Sequence, residues 1–260
     1  YLPRFQGDAA PASKPGLLLG IANRLDSLVG LFAVNLAPTS TADPFGLRRD
    51  ALGLVGSLVG RQQSFDLRPA LRAAAAQMPV TVEPKVLADV LGFIRDRLFV
   101  WLRDQGLPHD VVAAVLAEQS HDPYRAAVAA RELAALTQAP GWSEILTAYA
   151  RCKRITRPLA ETFALAPEHY EDAATRGLYE GLLAAESAMA RAGGGDPESC
   201  HDMALLGEVL AGMQGPINRF FTDVLVMAED PAMRQARLAL VQRVAGLATG
   251  LADLSQLQGF

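Results

Sequence analysis

The densest group of chemically useful side chains is the run Arg151-Cys152-Lys153-Arg154-Ile155-Thr156-Arg157, four cations in seven residues. On a helix of 3.6 residues per turn all four lie within about half of the circumference. Such a face either reads phosphates or simply stays solvated, and the residues alone leave the two alternatives even, since charge runs on helices are usually soluble surface. A second pair, Arg48-Arg49, sits one turn into an expected helix, where the dipole slightly disfavours cations. Either a polyanion or the carboxylates Asp26 and Asp50 across helices must reward it.

Other combinations imitate catalytic sites. His-Asp occurs as His109-Asp110, His121-Asp122 and His201-Asp202. Each pair stands at a helix start, where Asp is favoured as a cap, and no second His follows at i+3 or i+4, so no metal is expected. Cys200-His201-Asp202 cannot hydrogen-bond in series, because consecutive helical residues point in different directions. Cys152 has cations beside it that could lower its thiol pKa, but a small buried thiol is the commoner role. Gly193-Gly194-Gly195 lacks the Gly-Lys-Ser/Thr and the preceding strand of a phosphate loop. Phe220 and Phe221 invite base stacking, yet with Val224, Leu225 and Met227 they make an apolar surface that belongs in a core, leaving at most one ring for a nucleotide.

The elements that must position these groups are all helical. Irregular chain to Lys14 leads into a helix from Gly16 with Leu18, Ile21, Leu25, Leu28, Val29 and Phe32 at helical spacing. Asp43-Pro44 reads as a cap and first helical residue, so a helix beginning at Pro44 would carry Phe45, Leu47, Leu52 and Val55 inward and continue towards Val59. Asp66 caps a helix over 67–77, and the helix 83–105 is the longest. Pro108 and Asp122-Pro123 open two more. Further helices span 141–157, 168–191, a segment from Pro197 capped by Asp196, 217–227 after a Gly215-Pro216 turn, and 232–254 after Asp230-Pro231. No strand alternation is present. The fold class is all-α, with a domain boundary near residue 80.

Composition agrees with a packed core: 260 residues, half of them apolar, enough for one large or two ordinary domains. Two cysteines suit a reducing cytoplasm. The net charge of -4 weighs against non-specific nucleic-acid binding, DNA included, while leaving room for a local basic track. Leu17 to Val34 is interrupted by Asn23, Arg24 and Asp26, too charged for a membrane span. Tyr1-Leu2-Pro3-Arg4 is no signal peptide, and the missing initiator Met suggests a piece of a longer protein.

The run Ile21 to Gly53, IANRLDSLVGLFAVNLAPTSTADPFGLRRDALG, resembles a segment of the beta subunit of bacterial glycyl-tRNA synthetase, A-D-[RK]-L-D-[ST]-L-V-G followed by P-T-G-x-x-D-P-F-x-L-R-R-x-A-L-G. Pro216 to Met227, PINRFFTDVLVM, and Ala252 to Leu257, ADLSQL, are similar to its later motifs. Asn23, Ser40, Arg157, Asn218 and Gln256 stand where that family usually has Asp, Gly, Asn, Asp and Lys.

The resemblance implies that residues 1–80 are the C-terminal part of an HD-like helical domain. Residues 81–260 are then a helical bundle of the anticodon-binding class shared with arginyl-tRNA synthetase. It implies a cytoplasmic part of a glycine-tRNA ligase that binds tRNA-Gly. ATP and Mg are expected only at the alpha subunit or a fused alpha domain, with no cofactor or catalytic residue in this chain. Arg48, Arg49, Arg151, Lys153, Arg154 and Arg157 are the expected RNA contacts and Asp43 a structural cap. The rival is a divergent helical interaction scaffold.

Overall fold

The computed structural model describes residues 11, 13–196 and 200–260. Among these there are ten α-helices and no strand. By packing the chain divides into two compact units, Tyr1–Val112 with Gln119–Val128, and Ala113–Glu118 with Ala129–Phe260.

The first unit contains α1 (Lys14–Ala33), α2 (Leu47–Gly60), α3 (Leu67–Ala75) and α4 (Pro84–Asp104). α5 (His109–Gln119) and α6 (Pro123–Thr137) each contribute residues to both units. α4 packs on α1, α2 and α3. Its stripe Val90, Ile94, Leu98 and Leu102 is fully buried with Leu28, Val29, Leu54, Val55 and Leu58. The division by packing therefore falls later than a boundary at residue 80, because the helix-period stripe of α4 completes the core of the helices before it.

α1 meets the length and apolarity of a membrane span, with mean hydropathy 1.4 over its best window. That corrects the expectation that its charges exclude one by composition. Its Leu17, Ile21, Leu25, Leu28 and Val29 are spent on the packed core of the first unit.

The entrance to α2 also differs from expectation. Pro44 and Phe45 form a turn closed by the Gly46 N–H on the Asp43 carbonyl, 3.2 Å, and the helix starts at Leu47. Gly46 has φ +72°, which turns the chain so that the Asp43 carboxylate accepts from the N–H groups of Leu47 (2.9 Å) and Arg48 (3.0 Å). Asp43 thus satisfies first-turn donors from outside the usual cap position. Phe45, expected inward, is half exposed.

Arg24 is buried where α1 meets α2, with Nη1 donating to the Gly20 carbonyl at 3.1 Å. Burial lowers its pKa and the charge of Asp50 opposes that. Burial raises the Asp50 pKa, with Arg24 and Arg49 pulling the other way. At the start of α6, Asp122 accepts from Ser64 Oγ (2.6 Å), Phe65 N–H (3.0 Å) and Arg125 N–H (3.1 Å), a cap that also clips the loop before α3. Asp26 is exposed, and among the described residues no group of three His, Cys, Asp or Glu could hold a metal ion.

The second unit is built on α7 (Trp142–Thr156), α8 (Ala173–Ala192), α9 (Met203–Asp223) and α10 (Pro231–Ala245). α8 starts later than 168, because Pro167–His169 make a 3-10 turn and Asp172 caps from Thr175 N–H at 2.6 Å. The helix expected at Pro197 lies outside the described residues, and α9 begins at Met203 with Asp202 as its cap. α9 runs through Gly215-Pro216 without a turn. α10 stops at Ala245, short of Leu254, and the Gly250 N–H after it donates to Glu118 Oε2 at 2.9 Å. Beyond α9, Val224, Val226 and Ala228 are buried while Leu225 and Met227 point outward, 70% and 55% exposed. The expected continuous apolar surface is therefore split by period-2 alternation.

Candidate nucleic-acid interface

α7 is anchored before its cations begin. Trp142, Leu146, Tyr149 and Cys152 are buried at helical spacing, and Tyr149 donates its hydroxyl to the Ala245 carbonyl at 2.7 Å. Burial raises the Tyr149 pKa well above its usual value, so the phenol stays protonated and keeps donating. Burial also pushes the Cys152 thiol up to about 12, outweighing the neighbouring charge of Arg151. A reactive thiolate is therefore not what this basic run makes.

With that inner face fixed, Lys153, Arg154 and Arg157 point into an open cleft of about 570 Å³ at the C-terminal end of α7. Its other walls are Gln242 and Ala245 of α10, Glu118, and Asp253, Ser255, Gln256 and Phe260. The walls are held by specific bonds. Gln242 accepts from Phe163 N–H (3.0 Å) and donates to the Glu161 carbonyl (2.7 Å), pinning the chain that leaves α7. The Asp253 N–H donates to the Ala114 carbonyl at 2.9 Å, while its carboxylate accepts from Ser255 Oγ (2.7 Å) and Gln256 Nε2 (3.3 Å).

Burial opposes the charge of Asp253, but those hydrogen bonds and the charge of Lys153 outweigh it and hold the carboxyl below its usual range. Three cations against the two carboxylates Glu118 and Asp253 leave one positive charge in excess. Arg154 and Arg157 are exposed, and the Arg154 guanidinium lies over the Phe260 ring, 5.5 Å from its centroid. A positive cleft with an aromatic wall suits a phosphodiester carrying an unstacked base.

Arg151 is not part of that cleft. Its guanidinium lies over the ring of Phe221, 4.4 Å from the centroid, with Nη1 donating to Asn218 Oδ1 at 3.4 Å. Phe220 is fully buried and Phe221 half-buried. Arg48 and Arg49 belong to the first unit. Arg48 donates to the Thr39 carbonyl and lies 3.9 Å from Asp43, so it ties down the turn before α2. Arg49 is exposed and covers Gly46. Of the six expected contacts, three are brought together, by α7 and its C-cap residue Arg157.

Gln242, Glu118 and Phe260 carried no individual signal in the sequence. Asp253, Ser255 and Gln256 lie within the ADLSQL motif, whose part in the cleft needed the fold to be seen.

Residues 1–117 match the family described as glycyl-tRNA synthetase beta subunit, and residues 145–254 match the DALR anticodon binding domain. The chain is 36% identical over 267 residues to the glycine–tRNA ligase beta subunit of Moorella thermoacetica, and 37% identical over 269 residues to that of Chromohalobacter salexigens. In both, 99% of this chain and 37% of the relative are covered. It is 35% identical over 261 residues to the chloroplastic/mitochondrial glycine–tRNA ligase 2 of Arabidopsis thaliana, covering all of this chain and 24% of that protein. The chain thus spans between a quarter and about two fifths of these relatives. Lys153, Arg154, Arg157, Gln242 and Asp253 all fall inside the second matched segment: residues 1–117 belong to the glycyl-tRNA synthetase beta subunit family and residues 145–254 to the DALR anticodon binding domain family.

Proposed function

We propose that this chain is the tRNA-gripping part of a glycine–tRNA ligase, with the basic end of α7 bound to tRNA-Gly. What supports the reading is that Lys153, Arg154 and Arg157 line one open cleft of the segment that matches an anticodon binding domain. Lys153 and Arg154 hold backbone phosphates, and Arg157 reaches a base. ATP-dependent activation of glycine, with its Mg, belongs to an alpha subunit or fused alpha domain as partner. The first unit serves as the end of an HD-like helical domain with no metal chemistry of its own, and the work is done in the cytoplasm.

The experiment is a titration with tRNA-Gly and an unrelated tRNA at two salt concentrations. Each phosphate contact releases counterions, so Arg154→Ala should flatten the salt dependence of log K by roughly one unit or a little less. Arg157→Ala should change the ratio between the two tRNAs. A double reversal, Arg154→Glu with Arg157→Glu, that leaves affinity and salt slope untouched would overturn the reading in favour of an interaction scaffold.

A further inference from the structure

Arg151 is the one cation of the α7 run that the cleft does not use. Its guanidinium lies over the Phe221 ring, with Cζ 4.4 Å from the centroid, and Nη1 donates to Asn218 Oδ1 at 3.4 Å. No carboxylate of the described residues forms an ion pair with it, so its charge is not neutralised. A guanidinium grips a phosphate through its N–H edge and meets a ring through its face. One laid on a ring presents its outer face to whatever is planar. The arrangement recurs one turn later, where Arg154 lies over Phe260. Three residues along a helix are about 4.5 Å of rise and about 60° of rotation, so the two arginines are neighbours on one side of α7. The rings come from different segments, Phe221 from α9 and Phe260 from the region after α10.

We propose that Arg151 on Phe221 is a stacking platform for an unstacked base of single-stranded RNA, next along the strand from the phosphates gripped by the cleft. The proposal rests on the tRNA reading of the same unit. Affinity at this position comes from the base, not from the phosphate, and it tolerates any base because every base has a π-face. Lysine keeps the charge and loses the plane, so Arg151→Lys separates the two kinds of contact.

The test compares a short adenylate oligomer with an abasic phosphodiester of equal length, each titrated against the full chain over a range of salt. The wild type prefers the adenylate oligomer. In Arg151→Lys that preference falls about tenfold, with the salt slope and thermal unfolding unchanged. Arg154→Ala lowers the salt slope, which Arg151→Lys does not. If Arg151→Lys retains the full preference, the platform does not exist. If Arg151→Ala lowers the slope by about one unit and leaves base preference intact, Arg151 is a phosphate contact and the proposal is overturned. If the Arg151 variants are silent while Arg154→Ala is weakened, the platform falls and the tRNA reading stands. Failure of the wild type to bind tRNA-Gly or either oligomer removes both.

Discussion

Two glycines one turn apart in α2 should respond to alanine with opposite signs. A Cβ at Gly53 would lie 2.9 Å from Arg24 Nε, 3.0 Å from Nη2 and 3.2 Å from Cζ, whereas one at Gly56 meets nothing within 4 Å. The end of an arginine normally swings aside at little cost, but Arg24 is only 3% exposed and its Nη1 is bound to the Gly20 carbonyl. Helix propensity favours alanine by about 1 kcal/mol at either site. At Gly53 that gain meets overpacking of about 1–3 kcal/mol and the loss of a charged hydrogen bond of about 1.5–3 kcal/mol. Gly53→Ala should therefore lose about 1.5–5 kcal/mol, and Gly56→Ala should gain up to about 1 kcal/mol. Hydrogen exchange of the α2 amides reads the first unit by itself, with urea midpoints at constant slope as a second measure. Stabilisation by both alanines would show that Arg24 is free to move and that its contact with α2 does not lock the pair.

Asp43→Ala should cost roughly 1–2 kcal/mol, because the carboxylate serves both the Leu47 and the Arg48 N–H, and Asp43→Asn should be milder; an unchanged denaturation midpoint in the alanine variant would remove the cap. Asp172 gives a pH prediction. Burial works against its charge, but the Thr175 N–H and hydroxyl and the charge of Arg237 outweigh it, so its folded pKa lies below the unfolded value. Its contribution is then present above about pH 4 and is lost as the pH falls through the lower folded value. Stability of Asp172→Asn should accordingly fall less steeply on the acid side than that of the wild type, and parallel acid profiles would contradict the assignment.

Helix content was legible because the relevant signals are local. Asp66 before α3, Pro84 at the start of α4 and Asp230-Pro231 before α10 are caps or first-turn residues whose chemistry acts within one turn, and all three appear as expected. Where the sequence misled, either a tertiary contact or a neighbouring turn had outweighed the local preference. Pro216 reads as a helix breaker, yet α9 continues through it, packed on α8 where a Cβ at Gly181 would meet Met213 Sδ at 3.1 Å and Pro216 Cγ at 3.6 Å. Asp43-Pro44 reads as an immediate helix start, yet the positive φ of Gly46 inserts a turn and lets the same carboxylate cap from further back. Asp172 reached its cap position only because the chain from Pro167 to Tyr170 turns too tightly to be α-helical.

The basic run shows why a site is harder to read than a fold. Spacing put four cations on half of a helix; α7 carries Arg151, Lys153 and Arg154 with Arg157 as its C-cap, and function depends on what stands opposite each one. Arg154 and Arg157 line an open cleft whose other walls come from Glu118 and, about ninety to a hundred positions later, from Gln242 through Phe260. Arg151, with the same charge and nearly the same direction, meets an aromatic ring and an amide from α9. Arg154 and Arg157 carry their charge into the cleft, and Arg151 carries its own against Phe221 of α9. The salt slope of RNA binding should respond to Arg154 and Arg157 and be indifferent to Arg151→Lys, while base preference should respond to Arg151. Four identical responses to charge removal along α7 would mean that the helix acts only as a diffuse patch of charge, and that the partners seen around each arginine do not matter for binding.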